Sequence, residues 1–442
     1  MGKYDKFFAL AKEAGLKEVE LYISESHQLE ISLFHGEIDN YSDNNGYSIM
    51  ARGIFSNGKC GSASADVWNK EKAAWLVNEM VANAKVIEND DPIFIFKGSE
   101  KYKKINTFNK DLENVTNDQI MAKLYALEKA VREGDPRVVE VAGTEFAKVT
   151  SKFTLINSNG LNLSQKNNYF YFVGQCVAHE NGQTKSGYDF GFGNDFNAFD
   201  PEKLAKKIVA QTVAQLGGEA CKSAKYKAVL HPNVVQSLIR AYVDYANAEE
   251  VQKKSSLFIG KLGQKVASSK VTIEDKPLQK SPFARWFDDE GVATYNKPII
   301  KNGVLQTYLY NLTTAAKEGV QTTGNAFGGG SKKGIGPAFI YLKPGKKSQE
   351  ELFAKVGNGV FITDVSGLHA GLNAQSGNFS LQSTGYMIED GKKGKPLDLI
   401  TVSGNLLELF GDVLEVGNDV DVSPSGISAS SVLIKKIAVS GK

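Results

Sequence analysis

Apolar positions return at two periods along this chain, and the change from one period to the other marks its elements. From Lys3 to Ala14, Tyr4, Phe7, Phe8 and Ala11 recur at three- and four-residue intervals, the spacing of one helix face. Alternating segments follow at Val19 to Ile23, Leu29 to Phe34, Tyr47 to Phe55 and Gly58 to Ala65. They predict strands, broken by turn signals at Asn44-Asn45-Gly46 and Ser56-Asn57-Gly58. A second helix is predicted from about Asn69 to Lys85, with Ala73, Leu76, Val77 and Met80 inward. After a charged, turn-rich stretch the same order recurs. A helix runs from about Asp118 to Glu133, with Thr116 and Asn117 as caps. Strands at Val138 to Ile156 and Leu161 to His179 are joined by Asn157-Ser158-Asn159-Gly160, and Asp200-Pro201 opens a helix that Gly217 closes. Helix, sheet, helix appears twice, which predicts a loose internal duplication.

Beyond Lys225 the pattern changes. One amphipathic helix, opened by Pro232, carries Val234, Val235, Leu238, Ile239, Tyr242 and Tyr245 on one stripe. After it the periodic signals are strand-like: Val271 to Ile273, Pro298 to Ile300, Val304 to Tyr310, Ala338 to Leu342, Gly359 to Val365, Asn378 to Ile388, Asp398 to Val402 and Ser431 to Val439. A short helix is predicted near Ser348 to Val356. The expectation is an α+β fold: two N-terminal helix and antiparallel-sheet lobes (1–90 and 116–224), a connection (91–115), and a mostly β C-terminal domain (225–442).

Composition narrows the class of protein. Hydrophobic residues at 42% and charged residues at 23% fit a globular chain, and a net charge of +2 gives no electrostatic reason to expect nucleic acid. The paired lysines at Lys103-Lys104, Lys332-Lys333 and Lys392-Lys393 sit among turn residues and read as solvated loops. Three cysteines without CxxC spacing, Cys60, Cys176 and Cys221, predict a reducing cytoplasm. Neither a signal-peptide core nor an apolar run of membrane-spanning length is found, so no membrane association is expected.

Several motifs could carry chemistry. Trp286-Phe287-Asp288-Asp289-Glu290-Gly291 places three carboxylates together, able in principle to hold a metal or share a proton. Neighbours in an extended segment face opposite ways, so at most two should converge, and the glycine marks a turn. Thr322-Thr323-Gly324-Asn325-Ala326-Phe327-Gly328-Gly329-Gly330-Ser331 is rich in backbone donors but fits neither phosphate-loop pattern and reads as a mobile loop. In Asp364 to Asn373, followed by Ser376-Gly377-Asn378, His369 is a candidate base without an evident nucleophile. His179-Glu180 reads as a strand end entering the turn Asn181-Gly182, His231 as a neighbour of a helix cap, and His27 and His35 as strand residues.

The run Lys253 to Ala267, the Asp-Asp-Glu-Gly signature, the Thr-Thr-Gly-Asn element and the stretch from Asp364 to Tyr386 resemble the TldD/PmbA family. In the TldD branch, the resemblance implies, a His-Glu-x-x-x-His motif on the central helix supplies two zinc ligands and a Glu that activates water. Counting back from the matching Gly-Gln-Lys-Val block, those positions hold Ile239, Arg240 and Asp244 here. The family's C-terminal cysteine ligand falls on or near Val416, and no cysteine follows Cys221. The chain is therefore similar to the PmbA (TldE) branch.

The resemblance implies a cytoplasmic subunit with no zinc or other cofactor of its own, paired with a zinc-bearing TldD-type subunit and/or with itself. Such a subunit completes a cleft for unfolded peptide, with Thr323, Gly324, Asn325, Gly371 and Asn373 as cleft candidates and no direct nucleic-acid contact. Two alternatives stand beside it. One is a stand-alone peptidase using Asp288, Asp289, Glu290 and His369. The other is a non-proteolytic binding protein acting on a DNA-associated partner, as the family's gyrase-modulator label suggests.

Overall fold

The computed structural model describes residues 2–86, 91–329 and 332–442. The chain opens with α1 (Asp5–Glu13), β1 (Leu16–Phe34), β2 (Glu37–Phe55), β3 (Cys60–Ala65) and α2 (Lys70–Val86). After a short α3 (Lys110–Glu113) the series repeats as α4 (Asn117–Arg132), β4 (Val138–Asn157), β5 (Asn162–Glu180), β6 (Gln183–Gly193) and α5 (Pro201–Val213). The two strand triplets share one antiparallel sheet ordered β3-β2-β1-β4-β5-β6, joined where β1 pairs with β4. Both triplets run outward from that seam, so the duplication is visible as a symmetric strand order.

Local chemistry explains the boundaries that sequence reading placed well. Thr116 and Gln119 form a reciprocal capping box on α4, and Asp200 accepts from the N–H groups of Glu202 and Lys203 at the start of α5. Asn181 and Gly182, both at positive φ, make the tight turn between β5 and β6. The strand β6 itself was not anticipated.

One predicted turn is overturned. Asn44-Asn45-Gly46 lies inside β2, directly opposite Gln28, His27 and Ser26 respectively, and the chain reverses instead at His35 and Gly36. The partner strand β1 is also held by β4 along the same stretch, so tertiary pairing overrides the local turn preference.

The C-terminal part holds β7 (Ala224–Leu230), α6 (Pro232–Asp244), α7 (Ala248–Gln252), β8 (Ile273–Asp275), β9 (Lys297–Lys301), β10 (Val304–Leu305) and α8 (Leu312–Glu318). Next come β11 (Ala326–Phe327), β12 (Gly334–Ile335), β13 (Ile340–Leu342), α9 (Gln349–Val356), β14 (Gly359–Ser366) and α10 (Leu368–Gly371). The chain ends with β15 (Asn378–Glu389), β16 (Lys392–Asn405), α11 (Leu406–Gly411), β17 (Val413–Val416), β18 (Asp421–Ser423), β19 (Ile427–Ala429) and β20 (Val432–Ser440). One sheet runs β16-β15-β14-β7-β20-β17, and a further β16 to β20 pairing closes five of its strands into a ring. A second sheet runs β10-β9-β8-β13-β19-β18. Helix α6 lies between them and contributes Val234, Val235, Leu238 and Ile239 to their common core. Among the described residues no helix is long and apolar enough to cross a membrane.

Candidate functional site

Helix α6 is capped by His231, whose ring nitrogen accepts from the Asn233 N–H at 3.3 Å, with Pro232 in its first turn. Burial sets the pKa of His231 at about 4 by penalising the charged ring, which keeps the accepting nitrogen free of a proton. Further along, Ile239 is enclosed in the core and Tyr242 stacks on Phe410 with centroids 4.1 Å apart. Arg240 and Asp244 are exposed, and Val416 is buried in β17 opposite Val432. A zinc site needs three or four nitrogen, sulfur or oxygen donors. These four positions offer one carboxylate, so the residues present do not fit the ion. Among the described residues no group of three or more His, Cys, Asp or Glu is arranged to hold a metal.

The polar chemistry of the molecule is concentrated elsewhere, where the turn after Trp286 meets the N-terminal sheet. Trp286 and Phe287 bury themselves against Tyr22, Leu155, Leu161 and Leu163. The chain then reverses: the Gly291 N–H donates to the Asp288 carbonyl at 3.0 Å, and Gly291 adopts φ +84° where a Cβ would strike Leu161. Because this is a turn, all three carboxylates are buried, at 0%, 2% and 3% exposure for Asp288, Asp289 and Glu290.

Their partners differ. Asp288 accepts from the N–H groups of Glu290 (3.0 Å), Val292 (2.9 Å) and Ala326 (3.1 Å), pinning the turn to β11. Asp289 accepts from Tyr22 Oη at 2.8 Å and Arg285 Nη2 at 2.6 Å on one oxygen, and from the N–H groups of Gly328 and Gly329, each at 2.8 Å, on the other. Glu290 accepts from the Leu312 N–H at 2.8 Å. Burial pushes Asp288 well above the usual carboxylate range, the Glu290 charge adding to it, and burial also raises Glu290. For Asp289 burial is again the largest influence and acts upward, but the Arg285 guanidinium, the Lys333 charge and the Tyr22 hydrogen bond together outweigh it and hold the group below that range.

Four residues of this junction were not anticipated. Glu20 and Arg52 face each other across β1 and β2 and form a buried ion pair at 3.0 Å, and Tyr22 sits two residues further on. Lys333 was expected in solvent beside Lys332; instead it is 3% exposed, with Nζ 4.4 Å from the Tyr22 ring centroid, and only Lys332 projects outward. A visible signal was Glu20 itself, a charge within the otherwise apolar run Val19 to Ile23. Arg52, Glu290 and Lys333 also border a cavity of about 430 Å³ that reaches Cys60 and Ser62 on the edge strand β3 and Thr313 on α8.

The other candidates fall on two segments, residues 322–327, which meet the acidic turn through Ala326, and residues 369–373. Thr323 is buried, its hydroxyl accepting from the Tyr310 N–H at 2.7 Å, and Gly324 passes close to the Ala293 carbonyl. Asn325 is fully buried and donates to Asp275 at 2.7 Å, beside the enclosed Lys297–Asp275 ion pair. Residues 322–327 are thus an ordered support, where a mobile loop was expected; Gly330 and Ser331 lie outside the described residues. His369 is exposed on the four-residue α10 and, among the described residues, shares no hydrogen bond with Asp288, Asp289 or Glu290. Gly371 packs against the Ser380 carbonyl, and the exposed Asn373 accepts from the Ser376 N–H at 2.9 Å.

Three stretches of the chain match one family. Residues 19–84 match the PmbA/TldA metallopeptidase domain 1, residues 110–216 the central domain and residues 223–441 the C-terminal domain. The chain is 24% identical to metalloprotease PmbA of Escherichia coli O157:H7, over 96% of this chain and 92% of that protein. It is 32% identical to a Thermotoga maritima MSB8 protein whose crystal structure is named as a modulator of a DNA gyrase, with a TM-score of 0.91 and 99% of each chain covered. TldE from Thermococcus kodakarensis shares the fold, at a TM-score of 0.91 and 23% identity over 100% of both chains. With all three domains matched in order along a fold shared from end to end, this chain belongs to the PmbA/TldD metallopeptidase family.

Proposed function

We propose that this chain is a PmbA/TldE-type subunit of a PmbA/TldD metalloprotease system. In this reading it shapes a cleft for unfolded peptide, and a zinc-bearing TldD-type partner in the cytoplasm performs the cleavage. The observation that carries the reading is α6: Ile239 fills the core where the TldD-type helix would present an imidazole, and Arg240 would repel a cation. The cavity beside β3 adds support, because an edge strand can take up an extended peptide by strand addition. Thr323, Gly324 and Asn325 would brace the cleft from behind, and Gly371 and Asn373 would border it.

Reconstitution tests the proposal. The purified chain is incubated with an unfolded protein substrate alone and then with a zinc-loaded TldD-type protein. The expected result is cleavage only in the mixture, with the two chains co-eluting on size exclusion. Cleavage of the substrate by the isolated chain, abolished by a chelator, would overturn it.

A further inference from the structure

We infer that the cavity between β3 and α8 binds a carboxylate group, with Lys333 as its donor and Arg52 supplying the supporting positive field. The argument starts from donors without acceptors. Lys333 is enclosed, and among the described residues its Nζ has no hydrogen-bond partner; the same holds for Arg52 Nε. Burial, with the Arg52 charge beside it, lowers the Lys333 pKa despite the Tyr22 ring and the Asp289, Glu20 and Glu290 carboxylates around it, so its charged form is under-compensated and an anion that reaches the cavity would favour it. The Lys333 side chain borders the cavity, and with no hydrogen bond holding Nζ in place, rotation of its flexible stem can bring the ammonium to a ligand.

The acidic groups nearby are largely engaged. Both oxygens of Asp289 are taken by Arg285, Tyr22 and two backbone N–H groups, and Glu20 gives Oε1 to Arg52, leaving only its buried Oε2 without a hydrogen bond among the described residues. The cavity's two outer lysines, Lys317 and Lys332, are likewise matched by Asp91 and Glu249. Glu290 remains on the wall, with one oxygen held by the Leu312 N–H; burial raises its pKa, which weakens its repulsion of an incoming anion. One uncommitted ammonium among acids suits a singly charged carboxylate, whereas a doubly charged phosphate would face Glu290, Glu249 and Asp91 with too few donors. A volume of about 430 Å³ is within the range of small-ligand pockets, large enough for a short organic acid or the last residues of a peptide. The inference stands on these residues alone and does not require the chain to meet a protease partner.

Calorimetric titration of the full chain tests it, using N-acetyl-trialanine with a free C-terminus, the same peptide as its amide, and acetate as a competitor. The free acid should bind at least tenfold more tightly than the amide. Lys333→Met should lose at least tenfold of that affinity, while Lys12→Met on α1 should not. Should Lys333→Met fail to fold, Ser62→Phe fills the cavity from β3 and must cause the same loss. Acetate that displaces the peptide at comparable concentration identifies a free small acid as the ligand; a peptide far tighter than acetate identifies a chain terminus. Equal binding of acid and amide, no binding of either acid or acetate, or unchanged affinity in a folded cavity variant would overturn the inference.

Discussion

Helix α6 and the turn from Asp288 to Gly291 are both closed off from water, but one is closed by apolar side chains and the other by pairing charges. On α6 the buried stripe is almost wholly apolar, and its two exposed charges, Arg240 and Asp244, sit outside the core. At the junction four carboxylates (Glu20, Asp288, Asp289 and Glu290), two guanidinium groups and one ammonium are enclosed together, and most of the carboxylate oxygens have a named donor. Within one family scaffold, the segment where metal chemistry would be expected is packing, and the segment with ionisable groups is a built polar network. Buried polar networks stabilise most when complete, which makes the charged head of Lys333, without any hydrogen bond among the described residues, informative.

The sharpest way to break this contrast is Asp289→Ala. It strands the Arg285 guanidinium and removes the acceptor of Tyr22, Gly328 and Gly329 at once, so a loss of about 3–5 kcal/mol is expected in urea unfolding. On the apolar side, Ile239→Ala leaves a cavity in the shared core and should cost about 3 kcal/mol, with no change in metal content.

The two regions also differ in how they respond to acid. His231 has a folded-state pKa of about 4, below its unfolded value of ~6.5, so the unfolded chain binds more protons between those values and stability falls as pH drops through that window. The full effect is up to about 3 kcal/mol, and His231→Asn, which keeps a side-chain cap, should remove it. Asp289 is lowered, so its contribution persists to lower pH and is lost only as pH falls through its depressed folded-state value; Asp289→Asn should flatten that acid limb alone. Unfolding curves between pH 3 and pH 7 would separate the two. The smallest effect expected is for Thr116→Ala, which removes the α4 cap far from both regions and should cost about 1 kcal/mol.

What could be read from sequence divides along the range of the interactions involved. Helix caps and tight turns are written within four residues, and the Thr116 cap, the helix start at Ser348 and the turn Asn181-Gly182 were legible, although the reciprocal partners Gln119 and Glu351 were not picked out. Asn44-Asn45-Gly46 misled because its fate depends on pairing with β1, which is itself fixed by β4. The acidic turn was visible as a motif, yet its role was not. Tyr22 and Glu20 lie some 270 positions earlier, and only the folded sheet brings them beneath Asp289 and Lys333. Lys333 was the clearest misreading, since a lysine pair among glycines carries no local sign that one member turns inward. For α6 most of the apolar stripe was legible, because 3.6-residue periodicity is itself the cause of its burial; Gln236 and Val243, buried beside that stripe, were missed.

The measurement that bears most directly on the central claim is zinc per chain, by elemental analysis of the protein expressed alone and dialysed. The account predicts a value near zero, unchanged by Asp244→Ala or by any substitution at Asp288, Glu290 or His369 that leaves the chain folded. A value close to one zinc per chain, lost on substituting those residues, would contradict it.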